Sequence, residues 1–271
     1  MTYGEHELMR TRISKLVSCL FIFGPLIIGQ TPTITPGGVV SAAGRGGSTS
    51  IAPGSLISIF GTDLSSGLSV ASSATLSTSL GDVSSVTING VPAPLMFVSG
   101  SQINAQAPWE TIAGPANVMV TRGGTASQQV RAQVSVFSPA LFAFQGTPQV
   151  IAVNSDGSVT AAAGAISGVA SHPATAGDAI ILYASGLGPV NPSPPPNGAP
   201  SLDALRQTAN PLTVLLGGMP AQVAFSGLAP QFAGVYQVNI VVPPGVTGLN
   251  TPMQLMIGGV TSPDALTIGL Q

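Results

Sequence analysis

GSLISIFGTDL at 54–64 returns as GDAIILYASGL at 177–187, an offset of 123, with Phe60 answered by Tyr183 and Leu64 by Leu187. Working outward, NGVPAPLMFV from Asn89 is answered by GGMPAQVAFS from Gly217, an offset of 128. QINAQAP from Gln102 is answered by QVNIVVP from Gln237, an offset of 135, and RGGTAS from Arg122 by IGGVTS from Ile257. Order is kept while spacing drifts, as in two copies of one domain whose loops have changed length. A chain of 271 residues holds two such copies comfortably, each long enough for its own core.

The dominant period is two. In VRAQVSV, Val130, Ala132, Val134 and Val136 share one face and Arg131, Gln133 and Ser135 the other, the pattern of a half-buried strand. INAQA places Ile103, Ala105 and Ala107 inward and Asn104 and Gln106 outward. The second copy keeps the phase, with Val238, Ile240 and Val242 inward around Gln237 and Asn239. Because a one-residue slip would exchange the faces, a kept phase marks strands in the same place of the same fold. Leu266, Ile268 and Leu270 take the places of Val130, Ala132 and Val134 in the last strand.

Turn signals separate these runs: NG at Asn89, GG at Gly123 and Gly258, DG at Asp156 and PPG at Pro243. No long stretch has a helical period, and runs of this length are too short for the ~9–11-residue strands of a membrane barrel. The expected fold is all-β: two tandem immunoglobulin-like β-sandwich domains related by an internal repeat. Residues 1–30 read as a signal peptide, 31–138 as the first sandwich and 139–271 as the second, the boundary falling at SPA near Ser138. QVIAVNSDGSVT in copy two matches GVVSAAGRGG in copy one. NPSPPPNGAPS from Asn191 has no equally proline-rich counterpart and reads as a solvated, extended excursion.

Composition narrows the function. Charged residues make up 6% of the chain and the formal net charge is -2, so phosphate backbones are excluded as partners. With 44% apolar residues, disorder is excluded too. Arg10, Arg12 and Lys15 precede an apolar run at 16–28, an export signal; kept uncleaved, that run would be the only membrane contact. Glu5 and Glu7 sit oddly in a positive leader, so translation is read as starting at Met9. Cys19, the single cysteine, lies inside the run, so the exported chain has no disulfide or thiol chemistry.

VVSAAG at Val39, IAPGSLISIFGTDL, VTINGVPAPLMFVSGSQINAQAPWE, YASGLGPV, GGMPAQVAFSGLAPQFAGVYQVNIVVP and a final IGGVTSP occur in order across 39–271. Together they resemble the Solibacter-type uncharacterised C-terminal domain family of exported acidobacterial proteins. Where that family shows Asn-Ala-Ala-Ser, this chain has Ser41, Ala42, Ala43 and Gly44, so no role is carried to that position. The resemblance implies export and a β-rich fold, and no activity, ligand or catalytic residue.

Reactive side chains are sparse. A hydrolase would draw on His172, oriented by Asp156 or Asp178, but no G-x-S-x-G elbow accompanies them, and SHPA reads as a loop. Paired carboxylates for glycoside hydrolysis would come from Asp63, Asp82, Glu110, Asp156, Asp178, Asp203 and Asp264, none of them close neighbours in sequence. Zinc would need clustered His or Cys; NSDGS reads as a hairpin turn rather than a calcium loop. The glycine pairs lack the strand-to-helix setting of a phosphate loop, so no cofactor is expected. Trp109 in APWE is the candidate ligand contact, a ring for a sugar face, while Tyr183 and Tyr236 read as core. The expectation is a non-catalytic extracellular or cell-surface module that contacts a polysaccharide or a cell-envelope protein, in part through free strand edges. The alternative is an exported carbohydrate-active or ester hydrolase with its site between the repeats.

Overall fold

Alternating apolar residues become paired strands throughout. The computed structural model describes residues 30–45, 48–263 and 265–271. The expected signal peptide, with Arg10, Arg12, Lys15 and Cys19, lies outside the described residues apart from Gln30, and so does Asp264. Among those described, every regular element is a β-strand.

In the first repeat one sheet runs in the order Thr33–Ser41, Leu56–Thr62, Gln102–Gln106, Leu95–Val98 and Ser69–Val70. The other runs Ser50–Ile51, Val130–Val134, Gly114–Arg122, Val83–Ile88 and Val91–Pro92. Ile57, Ile59, Ile103 and Ala105 from the first sheet pack against Val86, Ile88, Val118 and Val120 from the second, all at most 1% exposed. Burying a side chain of that size stabilises the fold by about 1.5–3 kcal/mol. The Asn89–Gly90 turn that joins two of these strands has φ of 49° and 82°, the doubly left-handed pair that a tight hairpin requires.

The second repeat builds the same immunoglobulin-like sandwich with one simplification. Met219–Leu228 is a single strand that pairs at its start with Leu212–Leu216 and then with Tyr236–Val241, so it belongs to both layers. The first repeat makes this crossing with two pieces, Val91–Pro92 and Leu95–Val98, because Pro94 stands where the second repeat has Gln222. Proline has no N–H and interrupts the ladder. Val39 pairs with Ile59 as Ala152 pairs with Leu182, and Ile51 lies parallel to Val134 as Ala174 lies parallel to Leu270. Ile103, Ala105, Ala107, Val238, Ile240 and Val242 are all buried, as their phase predicts.

Four local expectations are corrected. Val136 is 47% exposed, because its strand ends at Val134 and the chain leaves for the second repeat. Gln106 points outward from its sheet yet is fully buried, because the second repeat covers that end. Its amide donates to Gly54 O at 3.2 Å and accepts from Gly198 N at 2.6 Å. The proline-rich segment is therefore no free excursion: Gly198 and Pro200 are buried, and Gly198 O accepts from Leu76 N at 2.9 Å. Tyr236 is core, donating its hydroxyl to Gly188 O, but Tyr183 is only half-buried and its counterpart Phe60 is exposed. Both face outward because Ile57 and Ile59, and Ile180 and Leu182, take the inward phase.

The repeats share a packed junction. Leu56 of the first joins Ala229 and Val235 of the second, with Met96, Phe142 and Tyr183 around them. Leu56 N donates to Ser185 Oγ at 3.0 Å, and Gly44 N to Leu141 O at 2.7 Å. Phe137, beyond the last strand of the first repeat, fills the space above Gly188 and Gly258 of the second, where any Cβ would collide with its ring.

Candidate functional site

The outward face of the first repeat's first sheet carries an aromatic and amide row. On Gln102–Gln106 the inward phase of Ile103 and Ala105 sends Gln102 and Asn104 outward. The neighbouring strand sets Phe60 opposite Gln102 and Ser58 opposite Asn104. On the other side Phe97 lies opposite Asn104. That placement needs the bulge between Leu95 and Phe97: Leu95 is buried, and simple alternation would have buried Phe97 with it. One extra residue reverses the phase and turns the ring outward.

The polar groups are fixed by their neighbours on the same face. Asn104 Oδ1 accepts from Ser58 Oγ at 3.0 Å and from Gln102 Nε2 at 2.7 Å. Its Nδ2 then faces away from both and has no hydrogen-bond partner among the described residues. A cleft of about 640 Å³ opens over this row, with Ala143 and Gln145 of the second repeat on its far wall. Among the described residues no charged side chain lines it. Phe60 is 41% exposed at its edge, a large ring left in water where most are buried. Aromatic faces beside a fixed donor and acceptor match a ligand with apolar C–H faces and adjacent hydroxyls.

Trp109 occupies a different place, just after the same strand. Its ring lies over Gly54, whose φ is +73° and where a Cβ would fall among the ring carbons. The ring packs against the core of the second repeat, and its Nε1 is buried without a partner among the described residues. Its backbone N donates to Asn197 Oδ1 at 2.9 Å, and Asn197 Nδ2 in turn reaches Glu110 at 2.7 Å. The remaining ring surface faces an apolar cleft of about 290 Å³ between the repeats, walled by Pro53, Val136, Pro189, Val190 and Pro194.

His172 and Asp156 do meet, on the surface rather than in a cleft. His172 Nε2 lies 3.1 Å from Asp156 Oδ2, and Ser158 Oγ donates to Asp156 Oδ1 at 2.6 Å. The carboxylate thus stands between hydroxyl and imidazole, an order that holds the serine rather than activating it. Hydrogen bonds from Ser158 and then His172 hold Asp156 down at about 2. The Pro173 carbonyl, then Asp156, raises His172 above its ordinary 6.5. NSDGS closes a hairpin, Asn154 N donating to Ser158 O at 2.8 Å.

The remaining described acids are dispersed. Burial acts to raise Asp82, but donors on Ser65, Ser66 and Arg122 outweigh it and hold the carboxyl well below the carboxylate range. Arg206 grips Asp203 through two nitrogens, at 2.7 and 3.0 Å, and holds its carboxyl at about 2. Asp178 accepts from Thr175, and Glu110 from Asn197. Asp63 lends its backbone carbonyl to Arg122 at 2.9 Å. Among the described residues no three His, Cys, Asp or Glu side chains gather.

Sequence reasoning did not single out Phe97, nor Asn104 and Gln102 as a site. The signal was present in the repeat: Phe97 is answered by Phe225 and Q-x-N by Gln237 and Asn239, although an outward amide pair is not needed to fold a sandwich.

The family model of the IPT/TIG domain, an immunoglobulin-like domain, matches residues 47–137, most of the first sandwich. No curated protein matches the sequence. Among solved structures, the chain is similar to SGBP-B of the Bacteroides ovatus mixed-linkage glucan utilization locus in complex with a mixed-linkage heptasaccharide. Identity there is 10% over 89% of this chain and 43% of that one, with a TM-score of 0.35. It is also similar to SGBP-B of a Bacteroides uniformis complex xyloglucan utilization locus, at 10% identity over 89% of this chain and 50% of that one, with a TM-score of 0.26. The plexin A4 extracellular region matches at 10% identity over 89% of this chain and 18% of that one, with a TM-score of 0.26. The chain spans half or less of each of these proteins, and at such TM-scores the likenesses carry no argument about function.

Proposed function

We propose that this protein is an exported, non-catalytic module that holds an uncharged polysaccharide at the cell surface, on the outward row of its first repeat. The observation that carries the reading is the Asn104 amide, held at its Oδ1 by Ser58 and Gln102 and lining a cleft together with Phe60 and Phe97. Export is supported by the basic and apolar pattern at 10–28 and by the resemblance to the Solibacter-type family. Absence of charge among the described residues of the cleft favours neutral sugars, whose hydroxyls pair with amides and whose ring faces stack on aromatics. The dispersed carboxylates and the surface position of His172 favour binding over hydrolysis.

The test is retention of the purified protein on cellulose, chitin, mannan and alginate, beside Phe60→Ala, Asn104→Ala and Trp109→Ala. Retention on a neutral glycan that falls about tenfold in Phe60→Ala and Asn104→Ala supports the reading. Loss in Trp109→Ala alone would move the contact to the cleft between the repeats. Retention on none of the glycans, or only on alginate, overturns it.

A further inference from the structure

Chain duplication carried more than the scaffold. In the second repeat Gln237 Nε2 donates to Asn239 Oδ1 at 2.9 Å, repeating the 2.7 Å bond from Gln102 to Asn104. Phe225 lies opposite Asn239 as Phe97 lies opposite Asn104, and each follows a bulge, between Val223 and Phe225 and between Leu95 and Phe97. Tyr183 lies opposite Gln237 as Phe60 lies opposite Gln102. Gln237, Asn239 and Phe225 are half-buried and line their own cleft of about 520 Å³.

From this we infer a second carbohydrate-binding site on the second repeat, so that one chain holds two sites for the same class of neutral glycan. Phe97, Gln102 and Asn104, and Phe225, Gln237 and Asn239, stand outside both sandwich cores and outside the junction cluster, so packing does not require the same bulge, ring and amide pair in both copies. The second site has a different rim. Leu202 and Leu205, 71% and 69% exposed, stand over it on a loop that Arg206 braces, donating to Ser193 O at 2.6 Å and to Ser201 Oγ at 3.0 Å; Asp203, which also lines this cleft, is paired with the Arg206 guanidinium at 2.7 and 3.0 Å, so its charge is compensated. Ser58, which holds Asn104 from the neighbouring strand, is replaced by Ile181, so Asn239 is held by Gln237 alone among the described residues. Ligand affinity at the second site is accordingly set more by the apolar rim.

This inference rests on the reading of the first repeat as a glycan-binding face, and the experiment separates the two. Calorimetric titration of the purified protein with cellohexaose, mannohexaose and xylohexaose gives the stoichiometry without any substitution. Two sugars bound per chain is the expected result, falling to one in Phe225→Ala with Asn239→Ala and to one in Phe97→Ala with Asn104→Ala. One sugar per chain, lost only with the first-repeat pair, overturns the second site while the proposed function stands. No heat with any of the three sugars, together with no retention on their polysaccharides, overturns the proposed function and this inference with it.

Discussion

Gly54 shows how a single missing side chain fixes a larger one. Its φ of +73° is a backbone conformation that L side chains rarely adopt, and the ring of Trp109 fills the place of its Cβ. Gly54→Ala is expected to lose about 2–4 kcal/mol, combining left-handed strain with a collision between the new Cβ and the Trp109 ring. Urea denaturation measures it, and a variant within ~0.5 kcal/mol of the parent would remove this account of the glycine. His172 supplies the pH dependence. A raised imidazole contributes stability that is fully present below 6.5 and is lost as the pH climbs through the higher folded value, while Asp156 contributes above 3.8 and is lost as the pH falls toward about 2. Both groups are exposed, so the effect on stability is small and the titration is the better readout. By NMR the His172 midpoint is expected above 6.5 and should fall in Asp156→Asn; an unmoved midpoint would show that Asp156 contributes nothing to the shift. Of the candidate residues, Trp109 and His172 were visible in the sequence because Trp109 is the single tryptophan and His172 the single histidine after residue 30. Phe97 was not visible as an outward ring, since only the bulge takes it out of phase with Leu95.

Among the elements, alternation specified most strands and their phase, because burying one face allows only one register. Ile103, Ala105, Val238 and Ile240 are buried for that reason. Where the expectation failed, the strand phase itself turned Tyr183 outward, the strand ended before Val136, or a neighbouring element covered an outward residue. Gln106 faces outward from its sheet and is covered by Gly198, to whose N–H it is bonded. Proline content marked the segment from Asn191 as extended but gave no sign of its partner. Asn197 and Gly198 meet Trp109, Glu110 and Gln106, contacts separated by about ninety positions that local pattern does not encode.

At the scale of the molecule, the junction makes one body of two sandwiches. Trp109, Leu56 and Phe137 cross from one repeat into the other, and Ser185 and Leu141 accept hydrogen bonds from Leu56 and Gly44. A junction with buried apolar contacts and paired backbone groups couples the two cores, so calorimetry is expected to record one unfolding transition. Trp109→Ala removes the largest of these side chains at a cost of about 2–4 kcal/mol and should broaden or split that transition. A single transition left unchanged in the variant would show that Trp109 contributes nothing to the coupling. The amino-acid sequence by itself determined an all-β chain in two related sandwiches and the identity of most inward residues, because period and repeat are local quantities carried along the chain. Tertiary structure alone decided which outward residues are covered by the other repeat and which stand open to a ligand, because burial of an outward face depends on what packs against it.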